Sequence, residues 1–519
     1  MKKVIFIIGL MGVIVSMPLN SNSIKTSPKQ WTILVFINGD NNLEDAGIDD
    51  MNEMERAIDT TNYNVIVEFD RIPGYDTSNG NWTTTRRYFI TPDTINDTII
   101  RSTLIADLGE INMGNPNSII DFATWGIENY PAEHYSLIIW DHGNGWYKVG
   151  GAPQRVSPLL KGISSDETDG DNIGVANGEY AFAMDSIATF LGKKIDILGN
   201  DACFMGMQEV AYEVKDYVDF IVFSEYSEPW DGYPYDDILT WLTANPIASP
   251  KELAQIIVDK YVASYSGGSQ GNDDITQSAV LLDSQFTHTS QCINRFAEEL
   301  MKVGGRSEPQ IDSAYWKTQY LYVDSAWRLH IDIYHFALNI RDSTTLPIIV
   351  KEWSDSVIQA IDSAVVREGH HTEGFPLDNC YGLAIYYPND TTFIDTTYIG
   401  LKFAEDLPHW WEFIRGRTIG IEEDRRQITE DRRQKLDIYP NPFIRSAVIG
   451  YRLSVKGNVS LVLYDITGRL VKTIYSGIQE KGYHEAKIQG EETWPLQAGI
   501  YFIRLDTGEF KTTRKLTIL

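Results

Sequence analysis

The run Lys194-Ile195-Asp196-Ile197-Leu198-Gly199-Asn200-Asp201-Ala202-Cys203-Phe204 is strand-like and apolar until it stops at an aspartate, a small residue and a cysteine. A thiol at such a stop is displayed beyond the strand, where an enzyme would use it. A second segment has the same shape: Tyr135-Ser136-Leu137-Ile138-Ile139-Trp140 leads into Asp141-His142-Gly143-Asn144-Gly145 and sets an imidazole at the end of another buried strand. Cysteine attacks a carbonyl as the thiolate, and a free thiol with a pKa of about 8.5 is mostly protonated at neutral pH. A neighbouring imidazole supplies the missing base. Cys203 also precedes a stretch from Met205 to Tyr217 with helical spacing, whose N-terminal dipole would lower the thiol pKa further. The Gly143 amide is open to a developing oxyanion, and one such donor contributes about 2.7–4 kcal/mol. Taken singly, Cys203 reads as a small buried hydrophobe and His142 as a capping group. Their joint placement at equivalent strand ends is what points to acyl transfer. Cys292, within a helical pattern, and Cys380, just before a strand from Tyr381, read as structural.

The elements that must position this pair alternate from Trp31 to Gly416. Buried strands are expected at Thr32 to Ile37, Val65 to Phe69, Leu137 to Trp140, Ile195 to Leu198, Phe220 to Phe223, Ala279 to Leu282 and Leu383 to Tyr387, apolar on consecutive residues as burial on both faces requires. Helical spacing marks Leu43 to Ile58, Ile119 to Asn129, Tyr180 to Leu191, Met205 to Tyr217, Pro250 to Tyr265 and Cys292 to Val303. The pattern predicts an α/β domain over 31–416 with a mainly parallel sheet flanked by helices. Ligands of such sheets sit beyond the carboxyl ends of the strands, where Cys203 and His142 fall. Residues 417–435, with Glu423-Asp424-Arg425-Arg426 echoed by Glu430-Asp431-Arg432-Arg433, read as an exposed charged linker, or alternatively as a short surface helix. Residues 436–519 change to short strands and turns, the pattern of a small all-β, Ig-like sandwich.

Composition bounds the function. A chain of 519 residues exceeds one core, so two or more domains are expected. With 43% hydrophobic and 22% charged residues, the net charge of -28 belongs to a folded body, and a surface this acidic excludes nucleic acid as a partner. Residues 1–23, with Lys2 and Lys3 before an apolar stretch and then small polar residues, read as a signal peptide, which predicts bacterial export. Only Cys203, Cys292 and Cys380 are present, so at least one thiol stays free or pairs outside the chain.

Trp140-Asp141-His142-Gly143-Asn144-Gly145-Trp146 and Asn200-Asp201-Ala202-Cys203-Phe204-Met205-Gly206 resemble the two signature segments of the clostripain family of cysteine peptidases, relatives of caspases and gingipains. The first strand with Asp40-Asn41-Asn42-Leu43, and Ser224 to Gly232, follow that family's order. The resemblance implies a caspase-like fold, Cys203 as nucleophile and His142 as general base and acid. It also implies a pocket floored by Asp201 and Asp231 and hence cleavage after Arg or Lys. Two carboxylates in a cleft suit a guanidinium, although Asp201 also reads as a helix cap and Asp231 as a turn residue. Family members mature by self-cleavage between the histidine and the cysteine, where Lys148, Arg155 and Lys161 lie, and some depend on calcium. The oxygen-rich stretch with Asp166, Asp169 and Asp171 is the sequence's calcium candidate, with a solvated acidic loop as the alternative; no cofactor is otherwise required. Leu436-Asp437-Ile438-Tyr439-Pro440-Asn441-Pro442-Phe443 and Gly499-Ile500-Tyr501-Phe502-Ile503-Arg504 resemble C-terminal sorting domains of the type IX secretion system. That implies secretion machinery as a partner and a secreted or cell-surface destination. A second functional class stays open: an adhesin or scaffold that keeps a peptidase fold without turnover, using its many aromatic residues to bind carbohydrate or protein.

Overall fold

The computed structural model describes residues 28–95, 97–146, 162–321, 328–343 and 345–419, then 436–439, 446–453, 456–466, 468–480, 482–489, 499–508 and 511–518. In chain order the first part carries β1 (Lys29–Gly39), α1 (Glu44–Ala57), β2 (Tyr63–Arg71), β3 (Thr85–Phe89), β4 (Thr103–Gly109), α2 (Pro116–Asn129), β5 (Ala132–Trp140), β6 (Gly162–Asp166), β7 (Asp171–Gly174), α3 (Glu179–Leu191), β8 (Ile195–Asp201), α4 (Gln208–Val214) and β9 (Val218–Phe223). It continues through α5 (Tyr235–Ala244), α6 (Pro250–Ser264), the short β10 (Ser266–Gly268) and β11 (Gly271–Asn272), β12 (Ile275–Leu281), α7 (Ser284–Lys302), α8 (Pro309–Lys317), β13 (His330–Asp332), α9 (Ile333–Arg341), α10 (Ile348–Ala364), β14 (Val365–His371) and β15 (Ala384–Tyr386).

Nine strands form one sheet in the order β14-β12-β9-β8-β5-β1-β2-β3-β4. The five central strands run parallel, as the consecutive apolar runs predict. At the edges of this mainly parallel sheet β3, β4, β12 and β14 join antiparallel. The run Leu383 to Tyr387 does not enter it: β15 pairs with β13 in a separate two-stranded sheet.

Successive side chains of a strand face opposite ways. Leu34, Phe36, Leu137, Ile139, Leu198 and Ile221 therefore enter one core, with Phe122 of α2, Met184 of α3, Phe296 of α7 and Val357 of α10. Ile33, Val35, Ile37, Ile138, Ile197 and Val222 enter the other, with Met51 and Met54 of α1, Ile238 of α5 and Ile257 of α6. Each such side chain contributes about 1.5–3 kcal/mol by leaving water, which anchors the strand ends that carry the polar residues. Local signals start the covering helices: Ser249 and Glu252 form a reciprocal capping box on α6 ahead of Pro250, and the Asn115 side chain accepts from Asn117 N–H on α2.

The C-terminal part is antiparallel throughout, with β16 (Leu436–Tyr439), β17 (Ser446–Leu453) and β20 (Gly482–Gln489) in one sheet, and β18 (Gly457–Asp465), β19 (Leu470–Gln479), β21 (Gly499–Asp506) and β22 (Lys511–Ile518) in the other. Leu436, Ile449, Tyr451, Leu461, Leu463, Ile503 and Leu516 build its own core. Among the described residues no helix is long and apolar enough to cross a membrane. The predicted signal peptide, most of the predicted linker and the Pro440-Asn441-Pro442 motif lie outside the described residues.

Candidate active site

Strands β5 and β8 are parallel neighbours, and their register sets Trp140 opposite Asp201. Asp141 N–H donates to the Asp201 carbonyl at 3.2 Å, so the chains stay together past the last paired residues. His142 and Cys203 each lie two residues beyond that pair. The glycine between them and the fold is sterically required: a Cβ on Gly143 would stand 2.5 Å from the Cys203 carbonyl oxygen and 2.9 Å from the Ala202 side chain. The backbone after His142 thus runs directly against the backbone of the cysteine. Asn144 N–H, not the Gly143 amide, closes the adjoining contact with β6 by donating to the Gly162 carbonyl at 3.0 Å.

Both side chains line one cleft of about 280 Å³, with Asn42, Asp201, Ser227, Glu228 and Trp230. Among the described residues Cys203 and His142 share no hydrogen bond. The Cys203 Sγ accepts from Glu228 N–H at 3.2 Å and lies 3.4 Å from Ser227 Oγ. His142 Nε2 is 2.9 Å from Asn42 Oδ1. A carbonyl oxygen only accepts, so this contact puts the ring proton on Nε2 and leaves Nδ1 unprotonated. Burial pushes the His142 pKa down to about 4 and the Cys203 thiol up, so the resting pair is a neutral imidazole beside a neutral thiol.

The expected help from a helix dipole is absent. The helix begins at Gln208 rather than Met205, because Phe204 has a φ of 59° and Gly206 N–H donates to the Ser224 carbonyl at 2.7 Å, holding this segment in a turn against β9. A Cβ on Gly206 would meet Glu225 N at 2.6 Å, so the turn is fixed by packing that periodicity does not register.

Of the two expected pocket acids, Asp201 lines the cleft, and it does not cap a helix. It is buried at the end of β8, where Tyr235 OH donates to it at 2.8 Å and Tyr233 N–H at 3.3 Å. Gly232 packs over it, since a Cβ there would come within 2.9 Å of Asp201 Oδ1. The acid beside Asp201 in the cleft is Glu228, which the sequence reading did not single out. Its Oε1 accepts from Gln277 Nε2 at 3.2 Å. Burial raises both carboxyls, Asp201 to about 6, and the Asp201 charge raises Glu228 further, so the two hold a proton between them. Asp231 is exposed and lines a neighbouring acidic depression with Asp49, Asp50 and Glu53.

A family model described as the clostripain family matches residues 35–410. The chain belongs to the clostripain family. It is a cysteine endopeptidase of that family, on the caspase-like α/β fold. Clostripain of Hathewaya histolytica is 24% identical over 438 residues, spanning 75% of this chain and 80% of that protein. A secreted C11 cysteine protease from Bacteroides thetaiotaomicron, solved with an irreversible peptide inhibitor, superposes with a TM-score of 0.52 at 17% identity over 74% of this chain and 99% of that one. An inactive zymogen C11 protease from Parabacteroides distasonis gives 0.50 at 16% identity over 74% and 99%. Residues 437–519 match the model of the secretion system C-terminal sorting domain, so this clostripain-family peptidase carries a type IX sorting domain and is exported.

The calcium stretch foreseen in the sequence of this clostripain-family chain does not converge on one point. Asp169 is exposed, Asp171 accepts from Asn112 Nδ2 at 2.9 Å, and only Asp166 is buried, accepting from the N–H groups of Met113 at 2.9 Å and Asp169 at 2.8 Å. Asp166 instead meets Asp40, Asp70 and Glu110, with one oxygen of each within 4.8 Å of the others. Burial, reinforced by neighbouring carboxylates, raises all four, Asp70 to about 9, Glu110 to about 7 and Asp166 to about 6. The grouping was beyond sequence reading because four separate elements supply it. Asn42, likewise, was legible only as part of the Asp40-Asn41-Asn42-Leu43 run. Cys292 and Cys380 are buried, as expected of structural thiols. Lys148, Arg155 and Lys161 lie outside the described residues.

Proposed function

We propose that this exported peptidase cleaves peptide bonds after Arg or Lys through a Cys203–His142 dyad. The observation that carries the reading is a single cleft in which the thiol and the imidazole stand at adjacent strand ends beside the buried Asp201 and Glu228 carboxyls. A pair of carboxyls sharing one proton carries about one negative charge, matched to one guanidinium or ammonium, and Arg's planar fork can bond both. Asp231, exposed on the neighbouring depression, adds to the field that draws the cation inward.

With substrate bound, the Cys203 proton passes to His142 Nδ1 as Sγ attacks the carbonyl carbon of the Arg or Lys residue. The C–O π electrons move to oxygen, and the Gly143 N–H donates to that oxyanion. Collapse breaks the C–N bond, His142 protonates the leaving amine, and water, deprotonated by the same imidazole, hydrolyses the thioester. Maturation by self-cleavage between His142 and Cys203 follows the same chemistry on Lys148, Arg155 or Lys161. Released at the cell exterior, the enzyme is secreted or retained at the surface through its sorting domain.

The test is turnover of Arg-, Lys-, Asp- and Leu-ended fluorogenic peptides by the wild type and Cys203→Ala. Arg or Lys turnover that vanishes in the variant is expected. Equal rates in both proteins, or preferred cleavage after Asp or Leu, would overturn the reading.

A further inference from the structure

We propose, on the reading of the cleft as the site for Arg or Lys, that the acidic depression beside it is a second cation subsite, which takes the basic side chain of the residue adjacent to the cleaved one. The depression encloses about 370 Å³ among Asp49, Asp50 and Glu53 of α1 with Asp97, Asp231 and Gln270. It and the cleft share a wall one turn thick. Gly232 N–H donates to the Pro229 carbonyl at 3.2 Å, and Trp230 and Gly232 line the cleft while Asp231, between them, lines the depression. Tyr235 ties the two spaces together, its OH donating to Asp201 at 2.8 Å and its N–H to Glu53 Oε2 at 2.9 Å. The acids of the two sites thus stand one tyrosine apart. Successive side chains of an extended peptide point to opposite sides, so with one in the cleft its neighbour is free to cross this wall.

An unmatched buried carboxyl makes the depression more than an acidic patch. Asp50 is 3% exposed and lines it, and its Oδ2 has no hydrogen-bond donor. Trp140, which also lines the cleft, lies alongside Asp50 and offsets part of the burial cost without supplying Oδ2 a hydrogen bond. The positive charge nearby is already committed: Arg56 faces Glu53 at 3.7 Å and Asp236 at 3.5 Å, and Arg101 holds Asp97 at 2.7 Å. Among the described residues Asp49, Asp50 and Asp231 make no ion pair. Burial, with the charges of Glu53 and Asp201, raises Asp50 well above the carboxylate range, and burial with the charge of Asp236 raises Glu53 to about 8. Such carboxyls hold protons until a cation compensates them.

The cation these groups fit is organic. Among the described residues three or more carboxyl oxygens converge within 4.8 Å only at Asp40, Asp70, Glu110 and Asp166, so the acids of the depression stand too far apart to share one metal ion. Separated acceptors suit the forked donors of a guanidinium or the mobile ammonium of Lys. The chain itself supplies such a substrate: Arg425-Arg426 and Arg432-Arg433 stand paired in the join between its two parts.

The test uses internally quenched peptides of equal charge, one with two adjacent arginines and one with the same two arginines about six residues apart, so that attraction by an acidic body acts on both alike. The full wild-type chain should cut the paired peptide with kcat/KM about tenfold or more above the spaced one, chiefly through KM, with the bond cut located by mass spectrometry. Asp49→Asn and Asp50→Asn should each lower that ratio at least about threefold. Asp185→Asn removes an exposed acid from α3, on the other face of the sheet, and should leave the ratio unchanged. A ratio taken within each protein cancels a general loss of activity, and the exposed Asp49 provides a variant that folding does not depend on. A ratio near one in the wild type, a ratio unaltered in both α1 variants, or an equal fall in Asp185→Asn overturns the subsite and leaves cleavage after Arg standing. Absence of turnover of every Arg and Lys peptide overturns the reading of the cleft, and the subsite with it.

Discussion

At Cys203 and His142 burial does opposite things to two charges and the same thing to catalysis. Neither the thiolate nor the imidazolium is favoured, so in the proposed dyad the proton would move only when substrate and oxyanion donor stabilise the ion pair. In the proposed dyad His142 must be neutral to act as base, and its pKa of about 4 predicts an acid limb of kcat/KM near pH 4. The stability sign follows from the same shift: between 6.5 and about 4 the unfolded chain binds more protons than the folded one, so this group's contribution is complete above 6.5 and lost as pH falls through 4. Asn42→Asp would set a carboxylate where Oδ1 now sits 2.9 Å from Nε2, and should move the acid limb upward by about 1–3 pH units in a kcat/KM profile. An unmoved limb would mean that this nitrogen does not report on the base. Glu228→Gln keeps the shape of the pocket and removes one carboxyl. Charge-assisted hydrogen bonds contribute about 1.5–3 kcal/mol, so kcat/KM for Arg peptides should fall about 10- to 150-fold, with little change in the rate of thiol alkylation of Cys203.

At the scale of elements, catalysis by the proposed dyad would depend on two strand ends held at backbone contact. Gly143→Ala would force a methyl group into the 2.5 Å gap before the Cys203 carbonyl, and displacement of the dyad by about 1 Å should lower kcat about 10²-fold in a protein whose far-UV spectrum is unchanged. Wild-type kcat in this variant would show that the strand ends yield without consequence. The central strands were legible because burial on both faces writes itself as consecutive apolar residues, and the proposed dyad was read from His142 and Cys203 two residues past the ends of β5 and β8. What escaped was whatever distant packing decides. The turn at Phe204 to Gly206 overrides a helical spacing that begins at Met205. Glu228 joins Asp201 only because the chain after β9 folds back over β8, while Asp231, three residues on, faces the neighbouring depression. The antiparallel edges escaped for a related reason: an apolar run states that a strand is buried but not which way its neighbour runs.

Across the whole molecule the charge of -28 and the division into separate cores make two further claims. A strongly negative body concentrates cationic substrates, so kcat/KM for Arg peptides should fall as NaCl rises through the range where the Debye length shrinks from about 30 Å to 8 Å, while thiol alkylation by a neutral reagent stays level. The second claim concerns the join. Among the described residues the core of the sorting domain, from Leu436 to Ile518, shares no residue with either core of the peptidase part, so a chain ending just past Ile419 keeps the core contacts of the catalytic sheet. Between them stand Arg425, Arg426, Arg432 and Arg433, and an enzyme that cuts after Arg meets four such bonds there. Incubated wild type should therefore shed a fragment of about the sorting domain's mass, whereas Cys203→Ala stays intact until wild type is added. The remaining peptidase should keep its turnover of Arg peptides, because among the described residues nothing lining the cleft comes from the lost part. Mass spectrometry on the aged samples reads the outcome: a join that survives while reporter peptides are consumed would show that these arginines are sterically closed to the cleft, and a loss of turnover on release would show that the sorting domain supports the catalytic sheet.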